Sequence, residues 1–299
     1  MAHWYDIGPN FEDRIRQTPL TMAPLSNYGV QEQRDLAAGG PMVFAVTGVS
    51  DHQAGQAMVV ETRSQVTEAA SERDISSVRL VEAYWAPQGQ SIGIPARPDI
   101  AGAPELVFTP DLSGCSVVVE KKGDRTLRVS HVQGGHHNEE FASLHIEPRD
   151  ITAILSHENY SNGRNDQAAA FLKFDRGSGE WNIHWQERQG TIHVRGAQVR
   201  AAMGPMECAG YYCKPAGQPD QTAIAVREAL ASDRAEHRDS RFRFTRSQSP
   251  EEHRELPSMD AAISTDSRPP WQRSRAPNPR DSFFSRFQRR DSSDSERSR

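Results

Sequence analysis

In Trp181-Asn182-Ile183-His184-Trp185-Gln186 every second side chain is large and apolar, and those between are polar. Successive side chains of a strand point to opposite faces, so a period of two with one apolar face marks a half-buried antiparallel sheet. Other short runs bounded by Gly, Pro, Asp or Ser fit the same architecture: Met42–Thr47, Ala57–Glu61, Val78–Trp85, Leu106–Phe108, Ser116–Glu120 and Thr126–Val132. Ala170–Phe174, Trp181–Trp185 and Thr191–Arg195 read as a three-strand meander with turns at 177–179 and 189–190. Helices are expected near Glu147–His157 and over Thr222–Ser232, the second capped by Asp220 or Thr222. The expected fold is α+β, a β-sandwich of mixed or antiparallel sheets with peripheral helices.

Charge and turn residues divide the chain. Of its 35 basic residues 15 fall in 230–299, and of its 40 acidic residues 12 do, so this tail carries +3 and the rest −8. The tail also holds 14 serines, no lysine, and Pro250, Pro257, Pro269, Pro270, Pro277 and Pro279. Such a segment buries too little apolar surface to offset the entropy of ordering it, so 233–299 is expected to be a disordered tail. Phe283, Phe284 and Phe287 among its arginines suggest a docking peptide, while its mixed charge signs argue against nucleic acid. Residues 1–38 lack periodicity and read as an irregular leader, 39–200 as the body and 201–232 as a helical extension. No apolar run reaches the ~18 residues of a membrane span, so no integral membrane association is expected. Met1-Ala-His-Trp-Tyr-Asp is not the basic start of a Sec-type signal peptide. Three cysteines, at 115, 208 and 213, exclude a disulfide framework.

Chemistry concentrates between Phe108 and His131. Cys115, Val117 and Val119 lie on one face of a strand, and Leu127, Val129 and His131 on one face of the next. A three-residue turn at 122–124 would set 119 opposite 127, 117 opposite 129, and 115 opposite 131. Opposed Cβ atoms lie roughly 4.5–5.5 Å apart, within reach of a thiol–imidazole hydrogen bond. A slip of one residue would put the pair on opposite faces. Ser113-Gly114 before the cysteine supplies a tight turn, and amides there could face a developing oxyanion. A thiol of ordinary pKa near 8.5 needs a base to become thiolate, and His131 could serve. Equally, these residue types suit a small buried cysteine at a strand start and a histidine at a strand end.

Leu112-Ser113-Gly114-Cys115 opening a strand, with a histidine 16 positions later, resembles the catalytic motif of cytotoxic necrotizing factor-type glutamine deamidases, which act on Rho-family GTPases. It is also similar to the bacterial lethal-factor deamidase of a translation-initiation RNA helicase and, more distantly, to chemoreceptor deamidases. Thr109, six residues before the cysteine, matches a threonine of the latter two groups. The resemblance covers about 105–137. It implies Cys115 as nucleophile, His131 as base, a backbone carbonyl orienting the imidazole, and Thr109, Ser113 and Gly114 in support. It makes 39–200 a Cys–His deamidase domain that hydrolyses a protein glutamine through a thioester, with neither metal nor organic cofactor. A toxin or effector of the bacterial cytoplasm, delivered by a specialised secretion system and acting as a monomer, is the expected setting. The target itself does not carry over.

Four alternatives stand beside it. His131, His136, His137 and His145, with Cys208 and Cys213, could be metal ligands, although paired Cys-x2–4-Cys spacing is missing. Asp111 or Asp124 could complete a papain-like Cys–His–Asp protease triad, and an amine acceptor would make the enzyme a transglutaminase. A non-enzymatic β-sandwich interaction module with a docking tail is the reading from another class.

Overall fold

The structure, a computed structural model, describes residues 3–246 except 6, 9–10, 23–27, 69–76, 134–137, 162–166, 196–197 and 202–203. The described strands are β1 (His3–Tyr5), β2 (Leu20–Met22), β3 (Gly40–Asp51), β4 (Gly55–Thr62), β5 (Arg79–Trp85), β6 (Gln90–Pro95), β7 (Leu106–Phe108), β8 (Ser116–Lys121), β9 (Thr126–Val132), β10 (Ile151–Leu155), β11 (Gln167–Asp175), β12 (Glu180–Gln189), β13 (Ile192–Arg195), β14 (Gln198–Ala201) and β15 (Glu207–Pro215). The helices are α1 (Phe11–Ile15), α2 (Val30–Ala38), α3 (Arg63–Glu68), α4 (Pro98–Ala101), α5 (Asn138–Ser143), α6 (His157–Tyr160) and α7 (Gln221–Arg246). The class is α+β, as the strand runs and flanking helical segments predict.

Two sheets make the sandwich. The larger runs β15-β12-β11-β7-β5-β3-β4-β2, with β1 pairing β3; the smaller runs β10-β8-β9-β6. Most pairs are antiparallel, but β2–β4 and β5–β7 are parallel. Between the sheets lie Val117, Val119, Leu127, Val129, Leu155, Leu172, Trp181 and Ile183. Each fully buried aliphatic side chain there contributes about 1.5–3 kcal/mol, which locks the register. The valine run of β8 is apolar on both faces because both are covered. Val118 points the other way and packs with Val132, Ile154, Val226 and Leu230 under α7. The far face of the large sheet buries Phe44, Phe108 and Phe171 beneath α1 and α2.

Several sequence expectations are corrected here. Where 1–38 is described it is not irregular: β1 and β2 join the large sheet, and Gln186 pins the segment by donating to Thr18 O (2.9 Å) and accepting from Leu20 N (2.6 Å). That explains why Gln186, on the polar face of the alternating run, is fully buried. Ile151–Leu155 is strand rather than helix, consistent with its β-branched residues and its place between two covered faces. Thr191–Arg195 leaves the meander to pair β14, and β15 takes the place beside β12, so 201–232 is not purely helical. Asp220 caps α7 through Ala223 N (2.7 Å), as its position suggests. The helix, however, runs on to Arg246, since the stretch before Pro250 contains no helix breaker. Arg234 ties it down by donating to Ile146 O (2.8 Å) and Glu147 (3.0 Å). The remaining tail, with Phe283, Phe284 and Phe287, lies outside the described residues. Among those described, no helix is long and apolar enough to cross a membrane.

Candidate active site

The motif around Cys115 is the crossover between the two sheets. Leu112 bridges β11, its N–H donating to Ala168 O (2.7 Å) and its O accepting from Ala168 N (3.0 Å). Four residues later Ser116 begins β8 in the opposite sheet, paired with Val132. Gly114 turns the corner at φ +76°, where an L side chain is strained, and the space its missing Cβ would occupy is open. The Tyr160 hydroxyl, from α6, donates to Cys115 O (2.8 Å) and fixes the cysteine backbone.

Hairpin parity agrees with the sequence reading, but its register does not. Val119 opposes Val129 and Val117 opposes His131, because the connection occupies 122–125 and Lys122 N donates to Thr126 O (2.9 Å). Cys115 therefore lies on His131's face but one pleat further along, diagonal to it. No hydrogen bond joins sulfur to imidazole, and His131 Nε2 has no hydrogen-bond partner among the described residues. Nor is the site a shallow cleft: Cys115 is 4% exposed and His131 fully buried.

His131 is oriented by Thr109, at the end of β7. The Thr109 hydroxyl lies 2.6 Å from Nδ1 and 2.9 Å from Ala86 O. A hydroxyl has one proton, so both contacts hold together only when it donates to Ala86 O and accepts from Nδ1–H. That tautomer leaves the Nε2 lone pair free to act as base. The backbone carbonyl expected to hold the imidazole is thus replaced by a side-chain hydroxyl. Burial pushes the His131 pKa down to about 4, so the ring is neutral near pH 7.

Gln88, in the turn after β5, was not singled out by any motif. Its side-chain amide reaches Cys115 Sγ at 3.7 Å, while the thiol faces Ser113 O at 3.9 Å. The turn is anchored to His131, whose O accepts from Gly89 N (2.8 Å). Gln88 and Ser113 also line a cavity of about 340 Å³ with Met22, Trp85, Asp111 and Arg188. Trp85 Nε1 and Arg188 Nε, both buried, have no partner among the described residues.

The other candidates fall elsewhere. Asp111 binds Arg188 (2.8 Å) and the Thr21 hydroxyl (2.8 Å), and Asp124 is exposed beside Lys121, so neither orients His131. His136 and His137 lie outside the described residues, among which no group of three or more His, Cys, Asp or Glu is placed to hold a metal. Cys213, unlike Cys115, does contact an imidazole, 3.7 Å from His184 Nε2, whose Nδ1 meets the Tyr211 hydroxyl at 2.7 Å. It lies mid-strand on the exposed edge β15, and burial of the sulfur raises its pKa. Cys208 is likewise raised by burial. No protein-family model matches this sequence, and no curated protein matches it.

Proposed function

We propose that this α+β sandwich is a protein glutamine deamidase, with Cys115 as nucleophile and His131 as base. The observation that carries the reading is the Thr109–His131 hydrogen bond, which leaves a buried, neutral Nε2, without a partner among the described residues, on the face that bears Cys115. An unsatisfied buried acceptor costs about 1–3 kcal/mol, and such groups repay attention as catalytic ones. A general base needs one nitrogen left free to take the proton.

The cycle begins when a side-chain rotation brings the thiol to Nε2. Sγ forms a bond to the glutamine carboxamide carbon as its proton passes to Nε2, and the C=O electron pair moves onto oxygen. Collapse breaks the C–N bond, and Nε2–H returns the proton to departing ammonia. Water, deprotonated by the same nitrogen, then cleaves the thioester to glutamate. An amine in place of water gives transglutamination. The resemblance in Leu112–Cys115 supports a bacterial toxin or effector acting on a partner protein, with a Rho-family GTPase as the first target to try.

Full-length chain incubated with Rho-family GTPases, and separately with a cell lysate, should convert specific glutamines to glutamate in peptide mass spectra. Cys115→Ser and His131→Ala should each abolish the conversion while leaving the fold intact. Conversion that survives both substitutions would sink the reading.

A further inference from the structure

We propose that the Gln88 side-chain amide is the oxyanion donor of this site, an inference that rests on Cys115 being the nucleophile. Gln88 stands where a donor must stand. It lines the cavity that borders the Leu112–Ser113 turn leading into the cysteine, and its Nε2 lies 3.7 Å from the attacking sulfur. Its backbone is registered against His131 rather than hung on a free loop: Gln88 bridges His131, Gly89 N donates to His131 O, and Gln90 N closes the turn on Pro87 O (3.2 Å). Nucleophile, base and donor are thus held by one local frame.

The energetics favour the transition state. In the resting site the Gln88 Nε2–H is spent on a long 3.7 Å contact to sulfur, a weak acceptor. When Sγ bonds to the carboxamide carbon, the carbonyl oxygen becomes negative within reach of the same N–H. A weak N–H···S contact is exchanged for a charge-assisted N–H···O⁻ bond, roughly twice as strong as a neutral one. Interactions that strengthen only as charge develops are those that accelerate the reaction. The sulfur's other polar neighbour, Ser113 O, is an acceptor and cannot do this.

Two small electrophiles isolate the effect without knowledge of the natural target. Iodoacetamide alkylates sulfur by displacing iodide at carbon, and no electron pair moves onto its amide oxygen. Acrylamide adds at its terminal carbon and sends the pair onto that oxygen before a proton reaches the α-carbon. Site-resolved mass spectrometry of the folded full-length chain gives both rates at Cys115. Gln88→Met, which keeps length without a donor, and Gln88→Glu should slow acrylamide addition at least ~10-fold, against the ~10²–10³ typical of losing one oxyanion donor in an enzyme. Alkylation by iodoacetamide should stay within about threefold of the parent in Gln88→Met. Equal slowing of both reactions, or no change in either, overturns the donor role. His131→Ala should slow both reagents alike. If it slows neither, the Cys–His reading itself falls, whatever the Gln88 variants do.

Discussion

The Thr109 hydroxyl, from the large sheet, lies 2.6 Å from Nδ1 of His131, from the small one, so a single hydrogen bond across the sandwich decides which imidazole nitrogen carries the proton. Thr109→Val keeps the shape and removes that bond. It also leaves Ala86 O without its hydroxyl partner. Thr109→Val should lose roughly 1–3 kcal/mol of stability in urea titrations. Cys115 alkylation should slow alongside, with Thr109→Ser restoring much of both. Full reactivity in Thr109→Val would show that the hydroxyl does not set the base.

His131 also ties stability to pH. Its pKa is about 4 in the folded chain against an ordinary 6.5. Between those values the unfolded chain binds a proton that the folded chain refuses. The histidine's contribution is therefore complete above pH 6.5 and is lost as pH falls toward 4, by about 3 kcal/mol. His131→Leu should remove that component, so the parent and variant stability curves should converge or cross as pH is lowered. Parallel curves from pH 7 to 4 would contradict it.

The Arg188–Asp111 pair carries a structural load. Arg188 also donates to Leu20 O (2.7 Å), and Asp111 accepts from Met22 N (3.2 Å) and the Thr21 hydroxyl. Arg188→Met strands a partly buried carboxylate; breaking such a pair costs up to about 3–5 kcal/mol, less here because Asp111 is a quarter exposed. The loss should appear first as faster amide hydrogen exchange at Leu20–Met22, ahead of the sandwich core.

Tyr160→Phe should be mild in stability and severe in chemistry. It deletes the hydroxyl that holds Cys115 O and leaves that carbonyl short of its donor, at a cost of about 1–3 kcal/mol. Cys115 would then sit on a looser turn. Its alkylation by acrylamide should fall while Cys213, on the exposed edge strand, keeps its parent rate.

Truncation separates the described fold from the tail. A chain ending at Arg246 should melt as the parent does. One ending at Ser232 loses Arg234 and its bonds to Ile146 O and Glu147, and should be slightly less stable, by about 1 kcal/mol since the ion pair is half exposed.

What the sequence revealed depended on how local each signal was. Period-two runs and valine-rich stretches are local, and β3, β4, β5, β7, β8, β9, β11 and β12 all fall where such runs lie. β6 alternates only over Ile92 and Ile94 before Pro95 breaks the run, and β15, a half-exposed edge carrying Gly210 and Lys214, has no such pattern. Parity put Cys115 and His131 on one face, but register depends on turn length, which Lys122-Gly123-Asp124 leaves open to one more residue. Gln88 was invisible because Pro87-Gln88-Gly89 is an ordinary turn sequence; only the return of β6 against β9 brings it to the sulfur. Thr109 stands out in the sequence by its spacing alone, and its contact with His131 spans two sheets.

The crossover at Leu112–Cys115 has a consequence for when the chain becomes chemically competent. Thr109 arrives from one sheet and His131 from the other, and Cys115 lies on the segment that joins them. In a chain whose sheets have formed but not yet mated, the thiol and the imidazole are two ordinary groups. If the pair is catalytic as proposed, activity then waits for the closure of the sandwich rather than for secondary structure. A partly assembled chain would leave the thiol open to alkylation but incapable of the proposed deamidation, and deamidation becomes the reporter of whether its two halves have met.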